Sequence, residues 1–166
     1  MHFLAKFVKI IWNYMIQRIQ SIWLLLACVT ISCLIFVPIV NTSIGSVQYL
    51  LTAQGIYEKV GEQSKQIEAS LPVLISTIAI ALLALFNIFN FRKRALQKRM
   101  ALVTIVLIIG LSFWCSQYAK KIPGGLENAN YKVGLFLPVI AIFFILLAIR
   151  GINNDEKLIK SADRLR

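Results

Sequence analysis

Few residues of this chain have side chains that do chemistry, and their placement restricts them further. The only histidine is His2, which excludes a histidine-ligated haem and a histidine-based metal site within the chain. Cys28, Cys33 and Cys115 stand singly in apolar surroundings, with no CxxC or other ligand spacing. Such cysteines read as small hydrophobic packing residues, not as redox or metal groups. No P-loop, GxGxxG, HExxH or GxSxG string occurs, and no candidate nucleophile within an apolar run has a base beside it. The expectation is a non-enzymatic protein with no catalytic residue, no cofactor and no metal.

What remains is polar contact. Asn87 and Asn90 are the most polar residues inside any apolar run. They are expected to hydrogen-bond between helices, at about 0.6 kcal/mol per bond, with a polar ligand as the alternative. Arg92, Lys93, Arg94, Lys98 and Arg99 form the densest surface charge. They read as a topology determinant or as a contact for anionic lipid or an acidic partner. Near the C-terminus, Leu158, Ile159, Ala162 and Leu165 form an apolar stripe that needs cover from a membrane surface or a docking partner.

The elements that carry these residues are set by four apolar runs, 22–40, 71–91, 100–118 and 133–149. They are 19, 21, 19 and 17 residues long and contain no Asp, Glu, Lys, Arg or His. At a rise of about 1.5 Å per residue, each approaches the ~30 Å hydrocarbon core of a bilayer. With 58% hydrophobic residues, the chain falls in the membrane class. The fold class predicted is all-α, a four-helix transmembrane bundle forming one domain over 15–166.

Charge then orients it. Segments 1–21, 92–99 and 150–166 hold 13 of the 18 Lys and Arg residues, and 41–70 and 119–132 hold the other 5. Alternate connections are therefore basic, which predicts both termini on the cytoplasmic side. The net charge of +11 reads as this bias plus attraction to anionic headgroups, not as a nucleic-acid footprint. Proton relays and ion pathways need ionisable groups within the spans, and the runs have none.

Smaller features follow. Residues 1–14 have apolar Phe3, Leu4, Phe7, Val8 and Ile11 on one helical face. They read as a short interfacial helix, or as an upstream extension with translation starting at Met15. In the longest connection, 46–52 reads as extended and 56–69 as an amphipathic helix carrying Ile56, Val60 and Ile67. Ser70 is a candidate N-cap with Pro72 behind it. Residues 92–99 read as a tight turn between antiparallel spans, and Thr77, Ala81 and Ala84 as a small-residue face for a close neighbour. Pro138 predicts a kink in the fourth span. Asn153 with Glu156 predicts a capping box that restarts a cytoplasmic helix over 150–166.

Two stretches carry a family resemblance. The opening Met15-Ile16-Gln17-Arg18-Ile19-Gln20, followed by Trp23-Leu24-Leu25-Leu26-Ala27, resembles that of small four-span inner-membrane proteins found chiefly in Bacteroidota. That family is known only as a domain of unknown function. The close, Asp155-Glu156-Lys157-Leu158-Ile159-Lys160-Ser161-Ala162-Asp163-Arg164-Leu165-Arg166, resembles its final motif, and the 91–99 turn and Leu137-Pro138 also fit. The resemblance spans 15–166 and implies four helices with both termini inside, but no activity. The functional expectation is an inner-membrane scaffold or accessory subunit with a membrane-protein partner or a second copy. The alternative is a binding or transport module for a lipid or small apolar molecule, admitted by flexing at Pro138.

Overall fold

The computed structural model describes residues 19–45, 47–61, 63–123, 125 and 129–163. The stretch 1–14 lies outside them, as does Leu165. Helix α1 (Ile19–Cys33) is followed by strands β1 (Val40–Ile44), β2 (Val47–Thr52), β3 (Gly55–Val60) and β4 (Gln63–Ala69). Helix α2 (Leu71–Phe89) then leads through a 3-10 turn (Asn90–Arg92) into α3 (Arg94–Ala119). A short strand β5 (Ala129–Tyr131) and a second 3-10 turn (Val133–Leu135) precede α4 (Leu137–Asp163).

The all-α expectation is overturned. The strands form one five-stranded antiparallel sheet in the order β4-β3-β2-β1-β5, so the fold is mixed, with a sheet set on a helical layer. The helix expected over 56–69 is strands β3 and β4. Ile56 and Val60 are four apart, a spacing that serves a helix face and a strand face alike. Glycine decides between them. Gly45 and Gly61 take φ of 62° and 63° in two-residue connections, pairing Ile44 with Val47 and Val60 with Gln63. Such connections favour positive φ because it matches the twist of the strands they join. Leu51 pairs with both Val40 and Ile56, a fully buried cross-strand row that packs on the helices.

The first apolar run is divided. Leu34, Ile35 and Phe36 donate to carbonyls three residues back, which tightens the end of α1. Pro38 then biases the chain toward extended backbone, and Val40 enters β1. The expected kink at Pro138 is absent as well. α4 starts at Leu137, so the proline is in the first turn, where its missing N–H breaks no helical bond. Nor does a separate tail helix begin near Asn153, because α4 runs unbroken past it. Ser70 is at the N-cap position of α2, but its hydroxyl donates to Ala53 O at 3.0 Å and ties the helix to the sheet.

Among the described residues, three helices are long and apolar enough to cross a membrane: α2, α3 and the stretch Val133–Lys157; the described part of α1 is shorter. Their outer faces carry exposed Ile75, Phe86, Val106, Phe113 and Val139, a surface suited to lipid. Their inner faces are stripes at alternating spacings of three and four: Leu24, Ala27 and Ile31; Val73, Thr77, Ile80 and Ala84; Ala101, Thr104, Ile108 and Leu111; Ala141, Ile145, Ala148 and Ile152. That spacing keeps one face inward, and the alanines allow close backbone approach. Side chains link the helices in a cycle. Cys28 Sγ donates to Ala81 O at 3.3 Å, the Trp23 and Phe144 rings stack at 5.8 Å, and α3 packs on both α2 and α4.

Candidate functional site

Each buried stripe ends, at the pole away from the sheet, in a polar side chain: Gln20 on α1, Asn87 on α2, Gln97 on α3 and Asp155 on α4. They are 4%, 0%, 1% and 6% exposed, so their hydrogen bonding must be met inside the protein. The Gln20 amide donates to Asp155 Oδ2, joining the first helix to the last. Asn87 Nδ2 donates to Gln97 O at 3.1 Å, and Gln97 Nε2 donates back to Asn87 O at 3.3 Å. This reciprocal pair closes the α2–α3 hairpin. Three buried acceptors of this layer, Asn87 Oδ1, Gln97 Oε1 and Asp155 Oδ1, have no hydrogen-bond partner among the described residues.

Ionic contacts reinforce this layer. α3 begins with no acid in its first turn and with Arg94 and Lys98 in its first two turns, near the positive end of the helix dipole. α4 supplies the countercharge. Lys98 Nζ reaches Asn153 Oδ1 at 2.7 Å and Glu156 Oε2 at 3.2 Å. Asn153 and Glu156, expected to cap a helix, hold a lysine instead.

The structure thus separates the residues singled out from the sequence. Lys93 and Arg99 are exposed, Arg94 and Lys98 are half-buried against α4, and Arg92 ends the 3-10 turn, its side chain outside the described set. Asn87 reaches the neighbouring helix, whereas Asn90 sits in the 3-10 turn with its carbonyl accepting from Lys93 N–H at 2.9 Å. Leu158, Ile159 and Ala162 lie on the last turns of α4, but their side chains are outside the described set. Gln20, Gln97 and Asp155 went unrecognised as a set. The signal was present: each continues the three–four spacing of its stripe by one step.

At the opposite pole, a cavity of about 120 Å³ lies where the sheet meets the helices. Its walls include Leu34, Val40, Cys115, Ala119, Leu135 and Pro138, with Ser116 and Tyr131 on the exposed side. The Ser112 hydroxyl also lines it but is committed to Ile108 O at 2.9 Å, so the surface is largely apolar. A separate open groove of about 480 Å³ runs between α2 and α3, past Ile80, Leu107, Gly110 and Trp114.

Among the described residues, no group of three or more His, Cys, Asp or Glu is placed to hold a metal ion. A comparison with curated proteins finds no match. A family model does match, over residues 16–165, almost the whole chain. The chain therefore belongs to the family described as a domain of unknown function (DUF4293).

Proposed function

We propose that this protein is a multi-pass component of the bacterial cytoplasmic membrane with both termini inside, acting as a non-enzymatic scaffold or accessory subunit. The observation that carries this reading is the polarity of the molecule. One pole presents exposed Lys93 and Arg99 at the α2–α3 turn, the other presents the sheet, and apolar helix faces lie between. Cations at the turn suit an anionic inner leaflet or an acidic partner. α4 continues beyond its contacts with Lys98 through Leu158, Ile159 and Ala162, the second contact surface of this reading.

Placement is tested with reporter fusions after Gln66 and after Gln97, expected in opposite compartments. Finding both on one side would remove the basis of the proposal. The partner role is tested by crosslinking and co-purification in mild detergent, comparing the native chain with Lys93→Glu/Arg99→Glu. Both residues are exposed, so the variant is expected to fold normally and lose a defined membrane-protein partner. An unchanged set of captured proteins would contradict the docking role.

A second reading, a binding module for a lipid or small apolar molecule, is favoured by one observation. The cavity at the sheet pole adjoins Pro138 and is walled chiefly by apolar side chains. Flexing at the proline is no part of this reading, since the helix begins there.

A further inference from the structure

We propose that the cavity at the sheet pole is the acyl-chain end of a site for an anionic glycerophospholipid, with Lys120 and Lys132 meeting the phosphate. The proposal rests on the lipid-binding reading and adds a headgroup, a depth and named residues.

The walls give the first part. A cavity of about 120 Å³ is close to the ~150 Å³ apolar cavities that stay dry and take up benzene, so it admits a length of hydrocarbon chain. Wall residues Leu135 and Tyr131 are 42% and 58% exposed, and next to Leu135 the side chains of Phe136 and Val139 are 59% and 66% exposed. The open side of the cavity therefore adjoins the apolar surface of α4, where lipid chains would lie. Tyr131 stands at the boundary between that surface and the polar sheet, the level at which tyrosine marks headgroups.

Charge gives the second part. Lys120 directly follows the wall residue Ala119, and Lys132 directly follows Tyr131. The backbone N–H of Lys132 is pinned to the carbonyl of a third wall residue, Ile39, at 3.0 Å. Both lysines are exposed. Neither forms an ion pair among the described residues, whereas neighbouring Lys121 is held by Glu68 at 3.2 Å. Lys120 is only loosely engaged, its ammonium 3.4 Å from Gln117 Oε1. Two cations, each next in sequence to a wall residue of an apolar cleft, match a phosphodiester attached to acyl chains. A neutral apolar molecule would use the cavity without the lysines.

Native mass spectrometry tests this with the full chain in detergent containing equimolar phosphatidylglycerol and phosphatidylcholine. The native protein is expected to retain phosphatidylglycerol preferentially. Lys132→Gln lowers that preference by about fivefold, the factor equivalent to about 1 kcal/mol for one basic residue near a membrane surface. Lys120→Gln acts in the same direction. Ser116→Trp, at an exposed wall position, fills the cavity and reduces retention of both lipids, and the milder Ser116→Leu guards against misfolding of the tryptophan variant. If both Ser116 variants fold and keep both lipids bound, the lipid-binding reading itself fails. If they release both lipids while the lysine variants leave the preference unchanged, only the headgroup assignment is overturned. Equal retention of the two lipids by the native protein overturns it as well.

Discussion

Replacing Gly134 with alanine is expected to destabilise the protein by about 2–3 kcal/mol, the upper part of the range for forcing extra volume into a packed site. A β-carbon there would stand 2.6 Å from Pro38 O, 2.8 Å from Pro38 C and 3.0 Å from Ile39 Cα. All three atoms are backbone, so no side chain can rotate out of the way. The same contact carries hydrogen bonds that fix the last helix to the first strand: Gly134 N–H donates to Pro38 O at 3.1 Å, and Lys132 N–H donates to Ile39 O at 3.0 Å. Relief of the clash therefore loosens the β1–β5 edge. Gly110 is the internal control, because a β-carbon there meets nothing within 4 Å. Gly110→Ala should be neutral or stabilising by up to about 1 kcal/mol, from helix propensity. Thermal unfolding in detergent compares the two. Equal midpoints for Gly134→Ala and the native chain would show that the joint is looser than described.

The second large effect is expected at Asp155. Asp155→Ala leaves the Gln20 amide buried without its acceptor, at a cost of about 1–3 kcal/mol. Gln20→Leu should cost at least as much, because it leaves a buried carboxylate without its donor. The double variant Gln20→Leu/Asp155→Leu is then expected to recover much of the loss, since neither polar group remains to be satisfied. A double-mutant cycle on unfolding free energies measures this coupling. Strictly additive losses would mean that the two side chains do not depend on one another.

These two sites differ in how far the sequence reveals them. The helices were legible because their buried faces repeat at three and four residues, and lipid-facing apolar side chains extend the runs around them. The same extension hid the ends. Val40 belongs to an apolar run by composition but to a strand by geometry, since Pro38 intervenes and the sheet supplies Leu51 as its neighbour. The sheet itself was obscured by its edge. β4 is exposed almost throughout, so it shows little of the alternation that marks a half-buried strand. The clearer signs were Gly45 and Gly61, each opening a two-residue gap between strand-forming segments. At the other pole, the basic residues around the turn read as one surface cluster. Folding divides them, because Asn153 and Glu156 lie 55 and 58 residues after Lys98 and only the packing of α4 on α3 brings them to it. No local pattern encodes that meeting.

The place of β5 in the sheet has a consequence for how the molecule is made. β1 pairs with β2 on one side and with β5 on the other, yet β5 is synthesised only after α2 and α3. A nascent chain that has reached the end of α3 holds four strands, with one flank of β1 still bare. Completion of the sheet must await synthesis of α2, α3 and the connection that carries β5. The fifth strand is thus the last to join: a chain that stops short of Ala129 leaves one flank of β1 without the partner it has in the finished fold.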